Sequence, residues 1–348
     1  MVRSLFLAIV FFTFTPKARA EPTIVVDGFV DSYLAHGQPS PDGRARSYTT
    51  QALYQDEPYL NLASGGLALN SEFLRARVAA QWGSSVTANY TAEPNEAVQY
   101  IQEGFFGYKL SDEIWLDAGI FLSHIGPEGW LSKDNLAYTR SFIAEFSPYY
   151  ESGVRLSGNL SDSFSGQLLL VRGWQNISQN SPPALGTLLT YNLTTSLALS
   201  HSTFLGDEGG TRVFNDLHLK WKPAADTEVI AAYDIGYQNT AGDPAVWSGA
   251  SAVIRQQLCT GIAASFRAEY FSDHEGIVAS SVARGRPFSV TGISAGIEYY
   301  PVKQLLLRAE YRPLIASSAI FPRDDGGTTR SHTVVLSVAT WIHTGNIL

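Results

Sequence analysis

The chain has 348 residues, of which 45% are hydrophobic and only 16% are charged, and its formal net charge is −8. An acidic chain is a poor candidate for binding nucleic acid, whose phosphates attract basic surfaces. The low charged fraction, together with 30 Gly and 17 Tyr, is unlike a soluble α/β enzyme and favours a β protein.

The first twenty residues have the pattern of a targeting segment. A basic residue, Arg3, precedes an apolar core at 5–14, and an A-x-A cleavage motif follows at 18–20. The apolar run is too short to span a bilayer as a helix. The pattern therefore predicts a cleaved signal peptide, 1–20, and an exported domain, 21–348. The alternative is a buried first helix.

Beyond the signal peptide, runs of about ten residues that alternate polar and apolar recur between breaks. Alternation with period two places the polar residues on one face of a strand and the apolar residues on the other. Arg75, Arg77 and Gln81 share one face of such a run, and Val78 and Trp82 share the other. Sixteen strands are predicted, near 24–35, 58–70, 73–83, 97–110, 113–122, 149–160, 163–173, 184–192, 195–204, 212–222, 226–238, 246–258, 260–272, 288–300, 303–315 and 331–343.

The connections between these strands alternate between short turns and long loops. The long loops are predicted at 36–57, 84–96, 123–148, 239–245, 273–287 and 316–330. Short periplasmic turns and long extracellular loops are typical of an outer-membrane barrel. We therefore predict an all-β fold, a closed transmembrane antiparallel β-barrel of about 16 strands. Closure is required, because an open sheet edge in lipid leaves backbone groups unpaired.

A soluble β-sandwich also alternates and is the main alternative. The apolar face of the predicted strands, however, carries aromatic residues near both strand ends, as expected at the headgroup levels of a membrane. They are Trp82, Tyr150, Tyr237 and Tyr270 at the loop ends, and Tyr108, Trp221 and Tyr299 at the turn ends. The predicted location is therefore the outer membrane of a Gram-negative bacterium, with its lipids as partners.

Loop 123–148 follows the fifth predicted strand and is the longest loop. A barrel of about 16 strands is too wide for side chains to fill, so water is expected inside, and an inward loop would narrow the bore. Pro127 and Gly129 bracket Glu128, so the backbone is set to turn there. We expect Glu128 to face Arg75, Arg77 and Arg155. The predicted constriction residues are Glu128, Asp134, Arg75, Arg77, Asp117, Arg155 and Arg172. Most other wall charges are expected to pair across neighbouring strands.

Several short motifs resemble the OmpL-like β-barrel porin family. They are Gly119-x-Phe121, Ile125-Gly126-Pro127-Glu128, Pro148-Tyr149 with Gly153-Val154-Arg155, Gly173-Trp174, and the opening Asp27-Gly28-Phe29-Val30-Asp31. The resemblance covers most of the mature chain and implies a passive diffusion channel. The chain departs from the family pattern at Arg172, where Asn is expected, and at its C-terminus, which lacks a terminal aromatic residue.

The predicted function is a porin without catalytic activity, a passive diffusion channel for small polar solutes or ions. The alternatives are a barrel used as a surface adhesin or anchor, and an outer-membrane lipid hydrolase. A hydrolase needs a nucleophile, a base and an orienting group within hydrogen-bond reach. Adjacent His201 and Ser202 should point to opposite faces, and His124 has no evident orienting group. The seven His lack metal-ligand spacing, so no metal or cofactor is predicted. A homotrimer is expected from barrel size alone.

Overall fold

Sixteen strands form a closed barrel in the computed structural model, which describes residues 21–37, 44–179, 181–240, 243–279, 286–323 and 327–344. The strands are β1 Thr23–Gly37, β2 Pro58–Asn70, β3 Leu74–Trp82, β4 Ile101–Ser111, β5 Ile114–Leu122, β6 Tyr150–Asn159, β7 Phe164–Val171, β8 Ala184–Thr194, β9 Leu197–Asp207, β10 Thr211–Ala224, β11 Thr227–Thr240, β12 Asp243–Cys259, β13 Ile262–Asp273, β14 Phe288–Val302, β15 Leu305–Ala316 and β16 Arg330–His343. Each strand pairs antiparallel with its sequence neighbours, and β16 pairs with β1. The predicted fold class is confirmed. The predicted signal peptide lies outside the described residues and stays a prediction.

Helices are short and occur only in the loops of the described ranges. They are α1 Ser84–Tyr90, α2 Glu96–Gln99, α3 Phe142–Glu145 and a one-turn 3₁₀ helix, Ser132–Asp134. Within those ranges, no helix has the length and apolar character needed to cross a membrane.

The connections follow the predicted alternation except at two places on the loop side: only 208–210 lie between β9 and β10, and the connection between β11 and β12 is also short. The loop between β5 and β6, residues 123–149, is long, whereas residues 112–113 alone connect β4 to β5. The expected long loop at 239–245 is wrong. Strands β11 and β12 continue pairing as far as Thr240 and Asp243, so only 241–242 lie between them.

The outward face of the barrel is apolar, as predicted. Val78 is 59% exposed and Trp82 is 50% exposed on this face. The other predicted interfacial rings exposed there are Tyr108, Trp221, Tyr237, Tyr270 and Tyr299. Tyr150 is the exception, because its ring is buried, stacks on Tyr90 of α1 at 4.0 Å and donates a hydrogen bond to Glu93 at 3.1 Å. The predicted membrane-facing position of Tyr150 is therefore wrong.

The interior differs between its two ends, which we call the turn half and the loop half. In the turn half, inward-facing Arg75 and Arg77 of β3 are partly exposed, whereas Ala79 and Gln81 further along the strand are 3% and 0% exposed. The loop half is packed with loop segments and with buried rings, among them Tyr48, Phe142, Trp247, Phe271 and Phe288. The loop half is therefore less open than a bare barrel of this width would be, because the loops fold inward and fill it.

Candidate channel constriction

The loop 123–149 lies inside the barrel, where inward-facing wall residues bind its backbone. Glu310 of β15 accepts hydrogen bonds from the backbone N–H groups of Tyr138 at 2.7 Å and Thr139 at 2.8 Å. Arg267 of β13 donates to the carbonyl oxygen and the hydroxyl of Thr139. Both wall side chains are buried, so they satisfy polar backbone groups that water does not reach.

Further wall contacts hold the loop tip and the start of α3. Arg308 donates to the carbonyl oxygen of Ser132 at 2.6 Å, and the Ser132 hydroxyl donates to Asp31 of β1 at 2.8 Å. Glu269 accepts the backbone N–H of Phe142 at 2.9 Å. Five buried charged residues of β13 and β15 are called the anchoring wall below: Arg267, Glu269, Arg308, Glu310 and Arg312.

His124 anchors the start of the loop on the other side of the barrel. Its Nδ1 lies 3.0 Å from a Glu151 carboxylate oxygen, and its Nε2 lies 2.9 Å from the Thr203 carbonyl oxygen. Burial alone would lower the pKa of the imidazole, but the Glu151 carboxylate, the Thr203 carbonyl and Asp216 together raise the pKa above its usual value. Both ring nitrogens face acceptors, so the imidazolium form satisfies both contacts. Gly186 leaves room for the ring, because a Cβ there would lie 2.6 Å from His124 Cε1.

Glu151 is an orienting partner for His124 that the sequence pattern does not reveal. The arrangement still differs from a hydrolase site, because Glu151 and the Thr203 carbonyl occupy both ring nitrogens. The inward Ser202 hydroxyl lies 3.1 Å from the backbone carbonyl of His124, not from its ring. His201 faces outward, with Nε2 3.2 Å from an Asn215 oxygen. His201 and Ser202 thus point to opposite faces.

Arg140 is the centre of the loop's own fold. Its side chain is fully buried, with the guanidinium 3.8 Å from the Tyr149 ring centroid and 5.0 Å from that of Trp130. It also donates to the Trp130 carbonyl oxygen at 2.9 Å. Glu128 accepts the backbone N–H of Ser141 at 3.1 Å and the Ser141 hydroxyl proton. This contact joins the outgoing and returning limbs of the loop and leaves 129–140 as its tip.

A small cavity lies between the two limbs of the loop. Its volume of about 10 Å³ is enough for about one water molecule, and Glu128 and Asp234 of β11 are in its lining. Asp234 is the cross-strand partner of Asp216 in β10, and both are buried. Asp234 Oδ1 and Asp216 Oδ2 have no hydrogen-bond partner among the described residues. In the same described residues, no group of three His, Cys, Asp or Glu could hold a metal ion.

The predicted constriction arginines lie on β3 and β6 and pair with carboxylates of the wall. Arg75 Nη2 and Arg155 Nη2 lie 2.6 Å and 2.9 Å from Asp117 Oδ2. Arg77 Nη1 lies 2.6 Å from Asp27 Oδ2. The side chain of Arg75 is 26% exposed, that of Arg155 is 17% exposed and that of Arg77 is 21% exposed. We call Arg75, Arg77, Asp117 and Arg155 the lumen wall.

The contacts described for the other three predicted site residues do not include the lumen wall. The hydrogen bonds described for Glu128 stay within the loop, and the lumen-wall arginines pair with other carboxylates. Asp134 is 54% exposed at the loop tip and pairs with Lys133 at 2.6 Å. Arg172 is exposed beyond the end of β7 and donates to the Gln179 carbonyl oxygen at 2.8 Å, and its place in the constriction stays a prediction.

The role of the anchoring-wall residues was not predicted from the sequence. Its residues were expected to pair across neighbouring strands, and only part of their hydrogen bonding does so. A signal exists in β15, where Arg308, Glu310 and Arg312 occupy successive inward positions. Such a dense row of charge in a buried wall needs partners from outside the sheet.

A closed barrel with an apolar outer face, a charged interior and an inward loop defines an outer-membrane channel. The chain belongs to the family described as "Putative beta-barrel porin-2, OmpL-like", whose model matches residues 23–343. The protein is accordingly an outer-membrane porin. A search of curated proteins finds no match.

Solved outer-membrane proteins share the fold at low sequence identity. The outer membrane channel DcaP of Acinetobacter baumannii is 14% identical with a TM-score of 0.62, and the match covers 94% of this chain and 99% of that chain. A loop L8 deletion mutant of OmpT of Vibrio cholerae is 11% identical, with a TM-score of 0.63 and coverages of 92% and 99%. The anion-selective porin from Comamonas acidovorans is 12% identical, with a TM-score of 0.60 and coverages of 92% and 100%.

Proposed function

We propose that the protein lets small hydrophilic solutes and ions diffuse passively through the barrel, and that loop 123–149 narrows their path. The observation that carries this proposal is the way the anchoring wall binds the loop backbone inside the barrel. The loop is held across the interior by many buried contacts, so it acts as a fixed element. The protein performs no chemical step on its solutes.

The path runs past the loop and along the lumen wall. Lumen-wall arginines remain partly exposed, whereas those of the anchoring wall are buried. Glu128 is half-buried in the loop, and Asp134 is exposed at its tip. Acids on the loop and arginines on the wall produce a transverse field, in which a dipolar solute can align and an apolar solute loses ordered water.

Planar-bilayer recording with a salt gradient tests this path. The purified protein should give discrete conductance steps. Glu128→Gln should move the reversal potential toward anion preference, and Arg77→Gln should move it toward cation preference, because each removes one charge beside the path. Unchanged conductance and selectivity in both variants would locate the path elsewhere, and an absence of steps in the wild type would rule out a channel.

The assembly we propose is a homotrimer surrounded by outer-membrane lipid. Two observations support it: a structural relative from Vibrio cholerae is described in a trimer form, and a groove of about 640 Å³ lies on the outer face of β2–β5, with Ala76, Gly104 and Phe106 in its lining. Native mass spectrometry should give three chains for the wild type. Gly104→Trp, which fills the groove, should shift the mass toward one chain. A monomeric wild type would contradict the assembly.

Export requires removal of the leader before assembly. We expect the mature chain to begin at Glu21, after the A-x-A motif. N-terminal sequencing of protein purified from outer membranes tests this, and a chain that retains residues 1–20 would contradict it.

A further inference from the structure

Two arginines of the lumen wall share one buried carboxylate. Arg75 donates from Nε to Asp117 Oδ1 at 2.7 Å and from Nη2 to Oδ2 at 2.6 Å. Arg155 donates from Nε and Nη2 to Asp117 Oδ2 at 3.0 Å and 2.9 Å. Asp117 is fully buried, so four donors occupy it and water does not reach it. Two positive charges against one negative charge leave one positive charge on this patch of the wall.

A glycine makes this arrangement possible. Gly107 of β4 is the register partner of both Arg75 in β3 and Asp117 in β5. A Cβ at Gly107 would overlap Asp117 Oδ1 and lie 2.8 Å from Arg75 Cγ. The missing side chain lets Arg75 reach across β4 to Asp117. The cluster therefore depends on glycine at position 107.

Aromatic rings fix the two guanidinium groups. Arg75 lies 4.6 Å from the centroid of Trp115, and Arg155 lies 4.6 Å from that of Phe121 and 5.5 Å from that of Phe105. Stacking on a ring face leaves the guanidinium edges free to donate. The donors are therefore held in position before any solute arrives.

Free donors remain on the side that faces the lumen. Nη1 of Arg75 and Nη1 of Arg155 have no partner among the described residues, and the two side chains are 26% and 17% exposed. Ser157 accepts from Arg75 Nη2 at 3.0 Å, which leaves its hydroxyl proton for another acceptor. Lys109 is 23% exposed on the same wall.

We propose that Arg75, Arg155 and Ser157 form a binding station for small oxyanions, namely solutes that carry a carboxylate or a phosphate group. The inference rests on the proposed channel function and names the class of solute that the channel favours. Paired guanidinium edges match the geometry of an oxyanion. Partial exposure keeps the binding weak, which a channel requires because a solute must also leave. The station lies in the turn half, so a solute meets it on the periplasmic side of the loop.

Arg255 offers a matched control. It lies in β12, is 19% exposed, stacks 6.0 Å from the Tyr300 centroid and pairs with Glu298 at 2.6 Å. Glu298 also binds a second arginine, Arg308, at 2.6 Å. Arg308, however, is buried and donates to loop carbonyls. The cluster has the same charges as the proposed station, but it presents one exposed guanidinium instead of two.

The test measures chloride current in bilayers while inorganic phosphate or acetate replaces chloride at constant ionic strength. The wild-type current should fall along a saturable curve. Arg155→Gln and Arg75→Gln should raise the half-inhibiting concentration about fivefold, equal to about 1 kcal/mol, whereas Arg255→Gln should leave it nearly unchanged. Equal shifts in all three variants, or a non-saturable curve in the wild type, would overturn the station.

A second readout separates the station from the channel itself. Broadening of the ³¹P resonance of inorganic phosphate by detergent-solubilised protein does not depend on conduction. Broadening that Arg155→Gln removes and Arg255→Gln retains would support the station even if the wild type failed to conduct. Conductance steps without any broadening by the wild type would overturn the station and leave the channel standing. Heat-modifiable migration on gels verifies that each variant is folded.

Discussion

The anchoring wall and the lumen wall contain the same residue types but use them differently. On the anchoring wall, Arg267 and Glu310 are 1% and 4% exposed, and both bind loop backbone groups. On the lumen wall, Arg75 and Arg155 bind only residues of the wall and remain partly exposed. Contact with the loop makes the difference: the wall charges that contact the loop hold it, and those that do not contact it stay partly exposed.

The comparison explains why a row of charged residues in a barrel interior does not by itself indicate whether those residues bind a loop or face the solute. A buried charge is costly unless it is paired and hydrogen-bonded. The loop backbone supplies those bonds to the anchoring wall, whereas the lumen-wall arginines pair with carboxylates of the wall and stay partly exposed. Stability and selectivity should therefore depend on different walls, and substitutions can separate them.

The largest effect on stability is expected on the anchoring wall. Glu310→Ala removes the acceptor for the N–H groups of Tyr138 and Thr139 and a partner of Arg267. Breaking a buried pair in this way costs roughly 3–5 kcal/mol. Urea titration in lipid vesicles should show that the free energy of unfolding falls by this amount, and the loop should become sensitive to protease.

Asp27→Ala is the matched control on the solvated side of the interior. Asp27 is 28% exposed, and its partner Arg77 keeps Glu103 when Asp27 is removed. A partly exposed pair contributes at most about 1 kcal/mol. If Asp27→Ala destabilised the barrel as much as Glu310→Ala, the distinction between the walls would be lost.

A smaller loss of stability is expected from a substitution within the loop itself. Arg140→Lys keeps the positive charge but loses the planar group that stacks on Tyr149 and Trp130. The loss should be about 2 kcal/mol, the value of a desolvated cation–π contact. Current recordings should also become noisier, because the loop tip loses its internal support. A quiet channel of unchanged stability would show that the anchoring wall alone determines the loop's conformation.

An effect of similar size, which depends on pH, is expected at His124. Its pKa is raised in the folded state, so its contribution to stability is complete below the unfolded pKa of about 6.5 and is lost as pH rises through the folded pKa. The free energy of unfolding of the wild type should therefore fall toward that of His124→Asn as pH increases. The expected difference at low pH is about 1.5–3 kcal/mol, the value of hydrogen bonds to a charged group. Parallel pH curves for the two proteins would contradict this role.

The barrel was predictable because its rules are local. Alternation with period two assigned Arg75, Arg77 and Val78 to the correct faces, and the spacing of turns gave the strand number. Pairing among wall charges was also predictable where acid and base lie on neighbouring strands, as for Arg308 and Glu298. These features depend on neighbours within the sheet.

The loop interior was not predictable by the same rules. No periodic pattern indicates that Thr139 meets Glu310, which is 171 residues away, or that Tyr150 packs under α1. Glu128 was expected to face the lumen-wall arginines, but its described hydrogen bonds come from Ser141 on the returning limb of the loop. Such contacts depend on how a long segment folds in three dimensions, which spacing in the sequence does not encode.

The central claim is that loop 123–149 occupies the barrel and limits conduction. The hydrogen bond between Glu128 and Ser141 brings the two ends of the loop tip together. Residues 130–139 can therefore be replaced by two glycines without opening the barrel. Single-channel conductance of this variant is the most direct test, with heat-modifiable migration as the check on assembly. The account predicts larger current steps than in the wild type. An assembled variant with wild-type conductance would contradict it.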